Sequence, residues 1–334
     1  MKDENDKLKA GELPADFAEG AEPLTRAADD EQRWGIDRDM MSRAYSRAMT
    51  PLKEENIITA GHYKLDRWTG GLRRGFVWVW GADTSWGKSS HAILAMDENL
   101  KKGHNVVLIS WEDAEELYSD RILARRAQIN AKRFQQRLAS AEEASRMAGV
   151  ANRAEGKPIF LYAAGRPVEW VKDQLLKMSK KIQIDLVLVD YLQAADNAET
   201  GKIKMDRRNQ VTYIARTMTD TIKRMGAAGI IYSQITVQPG TKKIPDRSSI
   251  KESRDVPNAA EVVVLGYILD SDGKIYDPET SDGQHLKKWL FLDKNKAGRP
   301  KMKLEMPWNE ELASFDYKQD PSDCGVDWSE EMEF

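Results

Sequence analysis

A chain of 334 residues with 41% apolar and 31% charged residues has material for one large α/β core, and its length leaves little room for two full domains. No run approaches the roughly 20 uninterrupted apolar residues of a membrane helix, the start Met1-Lys2-Asp3-Glu4 lacks the apolar segment of a secretion signal, and the single cysteine, Cys324, excludes a disulfide framework or a Cys-x-x-Cys zinc site. A cytoplasmic protein is expected, and the net charge of −3 says little about partners because acids and bases are unevenly placed.

Residues 1–35 are acidic, polar and rich in Ala, Gly and Pro, a composition that predicts disorder. In residues 36–55, Ile36, Met40, Ala44 and Ala48 fall at i, i+4 spacing ahead of Pro51, predicting a short amphipathic helix. Strand-like runs then alternate with helical patterns, the signature of a mostly parallel sheet flanked by helices. The strands expected are Phe76–Trp80, Asn105–Ser110, Ile159–Tyr162, Leu186–Asp190, Gly229–Ser233, Val262–Tyr267 and Trp289–Asp293. Several are continuous apolar runs, as suits strands buried on both faces. Helices are expected after Gly87 and over Ala114–Ala127, Ser140–Ala154, Val168–Lys181 and Arg208–Met225. From residue 313 to the end the chain reads as an acidic tail, without Lys or Arg over its last sixteen residues.

The chemistry begins where Phe76–Trp80 runs into Gly81-Ala82-Asp83-Thr84-Ser85-Trp86-Gly87-Lys88-Ser89-Ser90 and then a helix starting at His91. Strand, loop, helix is the context a phosphate-binding loop requires. Backbone N–H groups of Ala82 to Ser90 would cradle the phosphates of a nucleoside triphosphate, helped by the positive end of the helix. Lys88 adds a point charge, and the Ser89 hydroxyl can ligate Mg²⁺. The position usually held by the first glycine is Ala82, which suits the loop only with negative φ.

Hydrolysis needs a carboxylate for Mg²⁺ and another to activate water, each at a strand end. Asp190 closes the run Leu186-Val187-Leu188-Val189 and is the metal candidate. Glu112 follows Val106–Ser110 and is the general-base candidate. Gln234, after Ile230-Ile231-Tyr232-Ser233, can sense a γ-phosphate through its amide.

Taken in order, these motifs resemble the C-terminal motor domain of DnaB-like replicative DNA helicases. The lead-in Gly61 to Gly75, the extended strand end Asp190-Tyr191-Leu192-Gln193, Lys251-Glu252-Ser253 and Lys294-Asn295-Lys296-Ala297-Gly298 all match family elements in spacing. The resemblance runs from roughly Asn56 to Met306. It implies a RecA-like P-loop NTPase fold over 56–312, a homo-hexameric ring with ATP and Mg²⁺ at subunit interfaces, and single-stranded DNA in the central channel at a replication fork. The helix in 36–55 matches the family's linker helix, which docks on the adjacent subunit. In the family a Lys-x-Arg segment reaches into the neighbour's site. Lys294 matches its lysine, but Lys296 stands where arginine is usual, and a point charge does not replace a planar fork. Either Lys296 serves in that role or nearby Arg299 does.

Two basic loops follow the catalytic strands, with Lys202, Lys204, Arg207 and Arg208 in the first and Lys242, Lys243 and Arg247 in the second. In a ring they would line the channel and neutralise phosphates without reading bases. The acidic tail ending Trp328 to Phe334 resembles tails that recruit replication partners such as a polymerase, a primase or a single-strand binding protein, and suggests a phage or plasmid type. No membrane partner is expected. Two other readings remain open, a recombination-type DNA-dependent ATPase and a nucleotide-switched ring or adaptor without unwinding activity.

Overall fold

The computed structural model describes residues 40–49, 56–151, 156–195, 206–251, 255–281, 283 and 285–316. Expectations for residues 1–35, for Lys202 and Lys204, for Glu252 and Ser253, and for the tail beyond 316 lie outside the described residues. The chain divides into two compact units, Met1–Lys53 and Glu54–Phe334. In the first, Met40–Met49 forms the expected helix, with Met41, Tyr45 and Met49 exposed at i, i+4, i+8 spacing.

In the second unit an eight-stranded sheet runs in the order β3-β2-β4-β5-β1-β6-β7-β8. Its strands are β1 (Val77–Ala82), β2 (Val106–Ser110), β3 (Pro158–Tyr162), β4 (Leu186–Asp190), β5 (Ala228–Gln234), β6 (Val262–Leu269), β7 (Lys287–Asn295) and β8 (Met302–Met306). All pairings from β3 across to β6 are parallel, while β7 is antiparallel to both of its neighbours. The seven expected strands are present. The eighth, β8, was not anticipated, although Met302-Lys303-Leu304-Glu305-Met306 alternates with period two as a half-exposed strand should. A two-residue hairpin follows, β9 (Trp308–Asn309) paired with β10 (Ser314–Phe315). Phe315, assigned above to the tail, is fully buried, so the folded domain extends through β10.

Successive side chains on each strand enter opposite layers. Trp78, Trp80, Leu108, Leu188 and Ile230 pack with the helix Lys88–Lys101 on one face. Val77, Val79, Val107, Ile109, Val187 and Val189 pack with the helices Val168–Ser179 and Arg207–Arg224 on the other. Because both layers are filled, β1, β2 and β4 are buried at every position, which is why each reads as an unbroken apolar run.

One buried charge cluster fixes the first layer. Asp97, on the helix Lys88–Lys101, is fully buried and accepts from Arg125 and Arg126 on the helix Glu115–Ala127, and from Lys101 at 3.1 Å. Arg125 also reaches Glu98 at 2.7 Å. Removing one member leaves buried charge without a partner, so Asp97→Ala is expected to lose about 3–5 kcal/mol of stability. Chemical denaturation of the two proteins measures it.

Candidate active site

The carboxyl ends of the parallel strands lie side by side, so the residues that follow them converge. Register pairs Ala82 with Gln234 and Ser110 with Asp190. The phosphate-loop candidate leaves β1 here. Ala82 is not among the residues of positive φ, which satisfies the condition the sequence set for an alanine at that position. Gly87 has φ 105° and ψ 49° and precedes the first turn of the helix Lys88–Lys101. An L side chain would be strained there.

Trp86 anchors the loop from below. Its ring is fully buried, 4.7 Å from Phe315, and its indole N–H donates to the Trp289 carbonyl at 3.2 Å. Gly266 makes the space, because a Cβ there would lie 2.7 Å from the indole. Lys288 of β7 braces the same segment, donating to the carbonyls of Trp86 (2.7 Å) and Ser85 (3.4 Å) with its ammonium 3.4 Å from the Trp308 ring centre. The loop's carbonyls are thus engaged from outside.

Lys88 is buried and donates to the carbonyls of Ala82 (3.2 Å) and Asp83 (3.3 Å). Burial pushes its pKa down, opposed by the carboxylates of Asp190 and Asp83. Asp190 is 2% exposed, and burial pushes its pKa up against hydrogen bonds from Ser89 and Tyr118 and the charge of Lys88. Tyr118 Oη donates to its Oδ2 at 2.9 Å. Among the described residues its Oδ1 has no hydrogen-bond partner.

A buried carboxylate oxygen without a partner, close to a hydroxyl and a lysine, suits a hard divalent cation held jointly with phosphate oxygens. No cluster of three or more His, Cys, Asp or Glu able to hold a metal occurs among the described residues, so a cation here depends on the nucleotide for most of its ligands. The loop and the Ser89–Asp190 pair fit a magnesium nucleotide.

A cleft of about 360 Å³ opens over these groups, lined by Thr84, Ser85, Gly87 to Ser90, Glu112, Arg121, Tyr191, Gln234, Lys288 and Trp308. It joins the loop, the exposed Glu112 and Gln234 as expected. Arg121, Lys288 and Trp308 were not foreseen. Arg121 follows Tyr118 by three positions on the helix Glu115–Ala127, and that shared helical face was a signal open to sequence reading.

Lys294, Lys296 and Arg299 are not in this cleft. Lys288 pairs with Ile268 near the carboxyl end of β6, whereas Lys294 pairs with Val263 near its start, so β7 carries the two lysines toward opposite edges of the sheet. Lys294 donates to the carbonyls of Pro257 (3.1 Å) and Asn258 (3.0 Å), and Lys296 lies 3.5 Å from Glu261. Arg299 is exposed, and its guanidinium has no partner among the described residues. Of the basic-loop residues, Arg207 donates to the Gln193 carbonyl and to Gln210, and Arg247 is paired with the buried Asp293 at 2.7 Å. Arg208, Lys242 and Lys243 are exposed.

Burial lowers the Lys288 pKa to about 8, opposed by Glu310. Its brace on the loop should therefore weaken as pH rises through about 8. Nucleotide affinity is expected to fall roughly tenfold from pH 7 to 9.5, the worth of a charged hydrogen bond. Lys288→Met should bind weakly at pH 7 and lack that fall. Stability moves the other way. The folded pKa lies below the unfolded lysine value, so the unfolded chain binds more protons between about pH 8 and 10.5 and this group's contribution to stability grows across that window. Nucleotide titrations and melting curves at several pH values check both signs.

Fold and site define a RecA-like P-loop protein, with the phosphate-loop candidate after β1, Gln234 at the end of the adjacent β5, and the acids Asp190 and Glu112 at the ends of β4 and β2 beyond it. The chain belongs to the family of the DnaB-like helicase C terminal domain, which matches residues 58–317. It is 24% identical over 277 residues to the replicative DNA helicase DnaB of Mycoplasma genitalium, covering 79% of this chain and 57% of that protein. With the replicative DNA helicase DnaB of Helicobacter pylori the figures are 24% over 231 residues, 68% of this chain and 46% of that protein. The chain thus spans about half the length of these relatives. Among solved structures it is similar in fold to a DnaB-like replicative helicase studied for its interactions with primase (TM-score 0.72, 21% identity, 89% of this chain and 72% of that one). It is also similar to a second solved structure, that of an ATPase domain (TM-score 0.71, 20% identity, 84% of this chain and 98% of that one).

Proposed function

We propose that this chain is the motor of a DNA helicase, hydrolysing ATP at subunit interfaces of a hexameric ring and translocating on single-stranded DNA at a replication fork. The observation that carries the reading is the split of the site. One cleft holds the phosphate loop, Glu112, Arg121 and Gln234 above Asp190, while Lys294, Lys296 and Arg299 are not among the residues that line it and Lys294 sits toward the opposite end of β7 from Lys288. A half-site with its remaining cations on the far edge calls for a neighbouring copy.

ATP would lie with its phosphates on the backbone of residues 83–89 and on Lys88. Bound at Ser89 and Asp190, Mg²⁺ would supply charge neutralisation of the β- and γ-phosphates. Glu112 takes the proton of the attacking water, with no covalent intermediate. Arg121 faces the charge that spreads over the γ-phosphoryl oxygens, and Gln234 reports whether that group is present. A neighbour contributes Lys294 and one further cation. Since Lys296 is held by Glu261 and Arg299 is exposed, Arg299 is the better candidate. Exposed Lys242, Lys243 and Arg208, with Lys202 and Lys204, would follow the DNA backbone, while Arg247 serves more to hold its loop to Asp293. The helix Met40–Met49 offers Met41, Tyr45 and Met49 to an adjacent subunit, and the acidic tail would recruit a primase, a polymerase or a single-strand binding protein. No helix among the described residues is long and apolar enough to cross a membrane, consistent with work in the cytoplasm of a bacterium or of a phage-infected host.

The test measures nucleotide binding, ATP hydrolysis with and without single-stranded DNA, and fork unwinding for the wild type and Lys88→Ala. Hydrolysis stimulated by DNA, and unwinding lost in Lys88→Ala, is the expected pattern. A wild type that binds nucleotide but neither translocates nor unwinds would favour the adaptor reading instead.

A further inference from the structure

The side chain of Gln234 is already engaged. Its Nε2 donates to the hydroxyl of Thr84, inside the phosphate loop, at 2.7 Å. The backbone on which it stands is pinned from both sides. The Gln234 N–H donates to Gln193 Oε1 at 3.1 Å, the Gln234 carbonyl accepts from Lys251 N–H at 3.0 Å, and Gln193 is itself held by Ser233 at 2.9 Å and by Arg207. Only the side-chain torsions of Gln234 can change cheaply. Its Nε2 carries two N–H donors, and turning the amide to present them to a phosphate oxygen arriving in the cleft that both residues line draws Nε2 away from the Thr84 hydroxyl.

We propose that Thr84 is a latch for Gln234, a specificity-determining residue that makes binding of the triphosphate, but not of the diphosphate, break a hydrogen bond first. The inference rests on the reading of the cleft as an ATP site. ADP has no γ-phosphoryl group to compete for the amide, so the bond survives in its complex. ATP must displace it, and its affinity is reduced by the worth of that bond.

The experiment measures dissociation constants for the magnesium salts of fluorescent ADP and of a non-hydrolysable imido analogue of ATP. Thr84→Val should tighten the ATP analogue by roughly two- to tenfold, the equivalent of one net hydrogen bond, and leave ADP within about twofold. Thr84→Ser, which keeps a hydroxyl, should return the ATP-to-ADP affinity ratio toward that of the wild type. In a Gln234→Ala background the Thr84→Val effect should vanish, since the bond is already absent. Equal weakening of both nucleotides in Thr84→Val would mean that the hydroxyl serves the phosphates directly and would overturn the latch. An unchanged ratio, or an effect that persists without Gln234, would do the same. A wild type that binds neither nucleotide would instead remove the ATP-site reading itself.

Discussion

Glu112→Gln is expected to lower ATP turnover by roughly 10²- to 10⁴-fold while nucleotide affinity stays within a few-fold of the wild type. Glu112 is exposed at the rim of the cleft, and its backbone N–H is held by the Ser110 hydroxyl at 3.3 Å. The carboxylate is thus free to accept a proton, and it is not the group that would bind metal or phosphate. The amide is nearly the same size but cannot take the proton, so the loss should fall on kcat with little change in KM. Single-turnover hydrolysis beside equilibrium nucleotide binding makes the separation. A parallel rise in KM would move Glu112 into phosphate or metal binding.

The second large effect concerns the cation proposed to act across a subunit interface. Arg299→Ala is expected to cost about 10³-fold or more in turnover of the assembled protein, the scale of an arginine that meets transition-state charge across an interface. Lys296→Ala should cost far less, because its ammonium lies 3.5 Å from Glu261, which also accepts from Lys223 at 2.7 Å. Mixing Arg299→Ala subunits with Lys88→Ala subunits gives an independent check. An Arg299→Ala protomer retains its own cleft and a Lys88→Ala protomer retains its own Arg299, so mixed assemblies should regain activity that neither variant has alone. No recovery, or the larger loss in Lys296→Ala, would return the role to Lys296.

The legible part of this fold was its central parallel strands. Val106–Ser110 and Leu186–Asp190 are buried on both faces, so each is an unbroken apolar run that stops at the sheet edge, and the first polar residues beyond it mark the site. Glu112, Asp190 and Gln234 were picked out by that rule together with the phosphate-loop motif that precedes them. The strand β8 was passed over because one of its faces is solvated and its alternation Met-Lys-Leu-Glu-Met is a weaker signal than a solid run. Lys288 and Trp308 could not have been found locally. Lys288 bonds to the carbonyl of Trp86, 202 residues away in sequence, and only the antiparallel return of β7 creates that contact. Trp86 was expected only to lend its backbone to the phosphate cradle. Its burial against Phe315, and the missing Cβ at Gly266 that accommodates it, exist only once β6 and β10 are in place. The ion pair of Lys296 with Glu261, which bears on the choice between Lys296 and Arg299, likewise arises only once β7 lies beside β6.

The course of β7 bears on how neighbouring sites would communicate. One end presents Lys288 to the chain's own phosphate-loop candidate, and six residues further on, past a bulge in the pairing, Lys294 begins the segment proposed to face a neighbouring subunit, a span of roughly 20 Å. The strand is paired with β6 along this span, with a bulge before Lys294, and with β8 from Lys288 to Leu292, and that pairing would let it transmit displacement like a rod. In a closed ring these rods would be linked head to tail, and occupancy of one site would shift the cation offered to the next.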